Sequence, residues 1–151
     1  MKNVVIIAPH ADDEIIGCHS ILDSMKNITV LFPTIFGLHQ AEVSKEFGNF
    51  ETGLFKSDLE VKTEETYFFP DPYFELHPAH RRLGAIGEKW AREGYDVVFY
   101  STNMNAPYIH EVENWSLKKH ILDVCYPDKA DLWKYDHKYF LFEGHCKWIF
   151  K

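Results

Sequence analysis

The stretch Asn3-Val4-Val5-Ile6-Ile7-Ala8-Pro9-His10-Ala11-Asp12-Asp13-Glu14 decides how the rest of the chain is read. Residues 3–8 form a short apolar run rich in β-branched side chains. Such a run suits a strand buried on both faces, as in a parallel sheet. Pro9 ends it. Residues 14–26 then read as a helix, with Ile15, Ile16, His19 and Leu22 at helical spacing. Asp12 or Asp13 is placed to cap its start.

The alternation continues downstream. Ile28 to Phe32 reads as a second strand closed by Pro33, and a polar helix is predicted over 38–47, ending near Gly48. Residues 49–64 read as a loop-rich connection. Thr66 to Phe69 is predicted to be a strand ahead of Pro70-Asp71-Pro72. Leu83, Ile86 and Trp90 make 79–93 an amphipathic helix with Gly94 at its end. Asp96 to Tyr100 is a further strand and Trp115 to Val124 a short helix. Lys138–Phe142 and His145–Phe150, around Glu143-Gly144, predict a C-terminal β-hairpin. The pattern predicts an α/β protein with a Rossmann-like open, mainly parallel sheet, helices on both faces and the terminal hairpin.

The length of 151 residues fits one domain over 1–151. There are 23 acidic and 16 basic residues, a formal charge of -7. That balance argues against binding a nucleic-acid backbone, which needs a basic face. Small molecules and neutral sugars are easier partners. The three cysteines, Cys18, Cys125 and Cys146, include no Cys-x-x-Cys. A disulfide framework and a cysteine zinc finger are therefore not expected, and free thiols in a reducing cytoplasm are. The run Val4 to Ala8 is too short for a signal core or a membrane span, so a cytoplasmic protein without a membrane partner is expected.

Nine histidines are many for a chain of this size. His10 and Asp13 fall where a buried strand passes into a helix, a favoured address for sites in open α/β sheets. An imidazole and a carboxylate three positions later can reach one divalent cation, and the adjacent carboxylate is free to take a proton from water. Helix capping by the two aspartates explains the same residues equally well. His77-Pro78-Ala79-His80 precedes the 79–93 helix and lines the same sheet edge. His80 would complete a His-Asp-His set with an open position, the arrangement of a catalytic zinc. Two imidazoles and a carboxylate also suit iron. His19 is expected to be packed, and His120, His137 and His145 to lie at the surface or at edges. His110 is a candidate substrate contact. Tyr100, Tyr108 and Trp115 could stack on a sugar ring, although core packing is the default role of aromatics.

The paired motifs resemble those of the LmbE/PIG-L family of zinc-dependent N-acetylglucosaminyl deacetylases, which read His-Pro-Asp-Asp-Glu and His-Pro-Asp-His. Here they stand as His10-Ala11-Asp12-Asp13-Glu14 and His77-Pro78-Ala79-His80. Gly17-Cys18, Arg81 with the helix to Trp90, Phe99-Tyr100-Ser101, Pro107 and the Trp115/Lys118 segment extend the likeness over most of the chain. The resemblance implies His10, Asp13 and His80 as zinc ligands and Asp12 as general base. It implies His77 as the group that stabilises the oxyanion and helps protonate the leaving amine. The implied activity is removal of an acetyl group from an N-acetylated amino sugar or its conjugate. Ala11 stands in place of a proline. Ala79 stands in place of an aspartate that would favour charged His77, so His77 is expected to titrate lower. His39, in Gly37-Leu38-His39-Gln40-Ala41-Glu42, takes the place of the family's arginine as a substrate contact. The segment between the motifs is short for the family, which implies a more open pocket. Two further readings stay open: a non-catalytic metal- or sugar-binding relative, and an amidase acting on a non-sugar amide.

Overall fold

Val4 and Ile6 of strand β1 (Asn3–Ile7) pack into one apolar cluster, Val5 and Ile7 into another. Successive side chains of a strand leave opposite faces, so a strand apolar at every position needs cover on both. The computed structural model describes residues 2–149. In it, helix α1 (Asp13–Ser24) supplies Ile15, Ile16 and Leu22 to the first cluster. Helix α3 (Pro78–Arg92) covers the other face, with Leu83 and Trp90 in the second cluster. Trp90 meets Tyr67 and Phe69 edge-on, with ring centroids 5.0 and 5.1 Å away.

The sheet order is β3-β2-β1-β4-β5-β7-β6. β2 (Ile28–Phe32) and β4 (Glu65–Pro70) flank β1, and β3 (Phe50–Leu54) and β5 (Asp96–Tyr100) lie outside them, all parallel. The open, mainly parallel α/β sheet with helices on both faces is thus present. β3 falls within the expected loop 49–64. It is an edge strand, Phe-Glu-Thr-Gly-Leu, paired in register from Ile28↔Phe50 to Phe32↔Leu54. A strand paired on one side only needs no continuous apolar run, so it carries no such signal.

The predicted helix 38–47 begins earlier. α2 (Ile35–Gln40) starts at Thr34, whose hydroxyl accepts the Gly37 N–H at 3.0 Å, and a 3₁₀ segment Ala41–Phe47 completes it. Helix α4 (Trp115–Cys125) packs beside α1, and short helices α5 (Asp131–Tyr135) and α6 (Lys138–Leu141) follow. The C-terminal hairpin is not formed. Glu143 and Gly144 lie inside strand β7 (Phe142–Cys146), which runs antiparallel to β5 and to β6 (Ile109–Glu111). The physical reason is the Glu143 carboxylate, which is buried and bound by Lys118 and Ser20 rather than turned to solvent. Phe150 lies outside the described residues.

α1 is broken at Cys18, where φ and ψ are -136° and 19°. The backbone groups that a regular turn would pair have other partners. Lys118 donates to the Ile16 carbonyl at 2.6 Å, and the Ser20 N–H donates to Glu143 at 3.1 Å. An inserted side chain is a recognised cause of a kink. A Cβ on Gly17 would stand 2.3 Å from the Tyr100 ring, so only glycine lets the helix cross there. Among the described residues no helix is long and apolar enough to cross a membrane.

Candidate metal centre

After β1 the chain turns to β2 on one side, and after β4 it turns to β5 on the other. The carboxyl ends of β1 and β4 therefore flank the point where the strand order reverses, where α/β sheets open a crevice. The turn His10–Glu14 follows β1, and the loop to His77 and His80 follows β4.

The first turn is held under strain. Asp12 has φ 112° and ψ -29°, a left-handed conformation costing roughly 1–3 kcal/mol for a residue with a Cβ. Its N–H donates to Glu14 Oε2 at 2.9 Å, and its carbonyl accepts the N–H groups of Ile15 and Ile16 at 3.0 and 2.9 Å. Lys129 donates to the Ala11 carbonyl from the far side. Glu14 is fully buried and accepts hydrogen bonds from Tyr126 and, at 3.2 Å, from Ser44. Burial pushes its carboxyl up to about 7, against the opposing pull of the Tyr126 and Asp12 donors. Neither aspartate caps α1 in the expected way. Asp12 occupies the N-cap position without a side-chain bond, and Asp13 reaches back to accept the His10 N–H at 2.9 Å.

That reach places Asp13 Oδ2 beside two imidazoles. It lies 3.4 Å from His10 Nδ1 and 3.2 Å from His80 Nε2, and those two nitrogens are 3.3 Å apart. Asp13 and His80 are buried, and the His10 side chain is half-exposed. The three atoms form a nearly equilateral triangle that could hold a metal ion. Zinc bonds of about 2.0–2.1 Å in tetrahedral geometry put neighbouring ligand atoms about 3.3 Å apart, so the donor set and its spacing both fit.

His80 is itself held from behind. Its Nδ1 lies 3.1 Å from Glu75 Oε1, which also accepts from the Thr102 hydroxyl at 2.6 Å and the Thr102 N–H at 3.1 Å. A carboxylate behind a ligating imidazole fixes its tautomer and direction. Glu75 Oε2 is buried without a hydrogen-bond partner. Burial lowers the His80 pKa, but the bonds to Asp13 and Glu75 outweigh it and hold it up at about 10. Burial likewise raises that of Asp13, but His10 and His80 outweigh it and hold the carboxyl well below its usual range.

Asp12 and His77 flank the triangle in one cavity of about 770 Å³. Burial, then the charge of Asp13, pushes Asp12 up to about 9, while Lys129, 3.7 Å from its Oδ2, pulls the other way. His77 caps α3: its Nδ1 accepts the Ala79 N–H at 3.0 Å, so the proton of its neutral ring is on Nε2. Its ring lies 4.9 Å from that of His10 and 5.1 Å from that of His80. Desolvation first, then His80 and His10, hold its pKa below the ordinary value, with Asp13 pulling the other way.

Comparison with protein-family models, with curated proteins and with solved structures gave no match. The geometry alone therefore sorts the remaining candidates. Tyr100 does not reach the cavity: it is fully buried under α1, its hydroxyl donating to the Ile7 carbonyl at 2.5 Å. His39 lies on the exposed side of α2 and His110 on β6 against His145; neither lines the cavity. His19 is packed, as its helical spacing predicts. Glu75, Thr102 and Lys129 belong to the site but were not among the residues read from sequence. Glu75 stands five residues before His80, a local signal. Lys129 is 118 positions from the carbonyl it binds and has none.

Proposed function

We propose that this chain is a zinc-dependent hydrolase that removes an acetyl group from an N-acetylated amino sugar of the N-acetylglucosamine type, or from its conjugate. The observation that carries the proposal is the 3.2–3.4 Å triangle of His10, Asp13 and His80 with Asp12 and His77 beside it in one cavity. Zinc held there would polarise an amide carbonyl and lower the pKa of bound water to about 7. Asp12 takes a proton from the attacking water. Lys129 and the Glu14 strut fix where that carboxylate points. The Nε2–H of His77 donates to the carbonyl oxygen as it becomes negative, a contribution of about 3 kcal/mol for one well-placed donor. The expelled amine must leave protonated, and Asp12 returns to it the proton taken from the water.

Elemental analysis of the purified chain tests the metal, with one equivalent expected and less than a tenth in His80→Ala. Asp12→Asn is expected to keep the metal and to lose acetate release from N-acetylglucosamine conjugates by about a thousandfold. Wild-type acetate release in Asp12→Asn would remove the base from the scheme. Absence of metal after zinc loading would remove the scheme altogether.

A further inference from the structure

The floor of the cavity carries all the chemistry described above, and its rim has a different character. Phe36 on α2, Leu76 in the loop before α3 and Leu132 on α5 line the cavity. They are nevertheless 72%, 72% and 46% exposed, which places them at its mouth. Single exposed apolar side chains are ordinary on a protein surface. Three from separate segments, converging on the mouth of one cavity, make a collar. Ile16 and Tyr139 also line the cavity.

Charge narrows what the collar can receive. Among the described residues lining the cavity, Lys129 is the only lysine or arginine, and its ammonium is engaged by the Ala11 carbonyl and by Asp12. The lining otherwise contributes the carboxylates Asp12, Asp13, Glu75 and Asp128. A phosphate or carboxylate next to the scissile amide would find no free lysine or arginine in the lining; Arg82, whose charge reaches His77, lies outside it. A cavity of about 770 Å³ also exceeds what an acetamide alone would fill, and lies within the range of sites that enclose drug-sized ligands.

We propose that the N-acetylated substrate carries an uncharged, apolar substituent, alkyl or aryl, that lies across Phe36, Leu76 and Leu132 while the acetamide reaches the floor. The inference rests on the hydrolase reading for the acetamide, but the collar binds its group without metal or turnover. The test is therefore calorimetric binding of the methyl and phenyl glycosides of N-acetylglucosamine to the full chain, with N-acetylglucosamine 1-phosphate as the anionic probe. The phenyl glycoside is expected to bind about tenfold tighter than the methyl glycoside, with and without zinc, as burial of a ring's apolar surface requires. The 1-phosphate is expected to bind no tighter than the methyl glycoside. Phe36→Ser with Leu76→Ser, both at exposed positions, is expected to erase the phenyl advantage with metal content as in the parent chain. Equal binding of the two glycosides, binding of neither, a phenyl advantage that survives the double substitution, or tighter binding of the 1-phosphate would each overturn the inference. If the phenyl advantage is present but no glycoside releases acetate, the hydrolase reading fails and the collar stands.

Discussion

At the Cys18 break in α1, Lys118 and Glu143 are both fully buried; at the start of the same helix, Asp13 and His80 are nearly so. Each place joins a buried cation to buried carboxylates, but the satisfaction of the polar atoms differs. Lys118 spends its three protons on the Ile16 carbonyl, the Phe142 carbonyl and Glu143. Glu143 also takes the Ser20 N–H and hydroxyl. Among the described residues neither has an unpartnered polar atom, and neither lines the cavity beside His10, Asp13 and His80. At the His10, Asp13 and His80 triangle, three atoms that could hold a metal ion converge within 3.4 Å, a carboxylate oxygen of Glu75 is left without a partner, and one wall is open. Buried charge alone therefore does not mark a functional site. Potential ligand atoms that converge on a common point beside an open cavity make a candidate for one.

Removing one partner from the closed cluster sharpens the contrast most. Lys118→Met leaves Glu143 buried and uncompensated, and is expected to destabilise the fold by about 3 kcal/mol. Pairing it with Glu143→Leu is expected to recover most of that loss, because replacing both charges by apolar groups is often neutral. Chemical denaturation of the three variants measures both. Metal content of the folded protein should not change in either. If Lys118→Met lost metal at unchanged stability, the two clusters would be one functional unit and the contrast would fail.

The same contrast explains what the sequence discloses. β1, β2 and β5 are legible because apolar β-branched runs end at Pro9, Pro33 and Tyr100, and burial on both faces demands such runs. His10, Asp13, His77 and His80 are legible because their spacings are local to two turns. Whatever depends on a distant partner is not legible. Glu143-Gly144 has the composition of a turn, and only Lys118, 25 positions away, and Ser20, 123 away, make it the interior of a strand. Tyr100 could as well have faced a ligand as the core, until Gly17 laid α1 across its ring.

Weakening the support behind a ligand should act on the open cluster alone. Glu75→Gln keeps an acceptor for His80 Nδ1 but removes the charge, and is expected to weaken zinc binding about tenfold, with Glu75→Ala nearer a hundredfold. Competition with a chromophoric chelator reads both. A change in stability without a change in metal affinity would make Glu75 a packing residue, like Glu143.

Proton linkage gives the smallest effect per step. Without metal, His80 is charged below about 10, held between Asp13 and Glu75. Its folded pKa is raised from 6.5, so it adds stability that is fully present below pH 6.5 and is lost as the pH climbs through about 10. Metal needs the neutral ring, so binding releases that proton and affinity should rise by about tenfold per pH unit between pH 7 and 9. The stabilisation conferred by zinc should therefore grow with pH while the metal-free protein loses stability. Thermal unfolding with and without zinc across that interval measures the divergence. The closed cluster has no metal to exchange for its proton, so the slope should persist in Lys118→Met/Glu143→Leu and level off at a lower pH in Glu75→Ala, which removes one of the two carboxylates that hold His80 charged. A slope unchanged in Glu75→Ala would place the released proton on another residue of the triangle or its surround, and would break the assignment of His80 as the protonated centre of the open site.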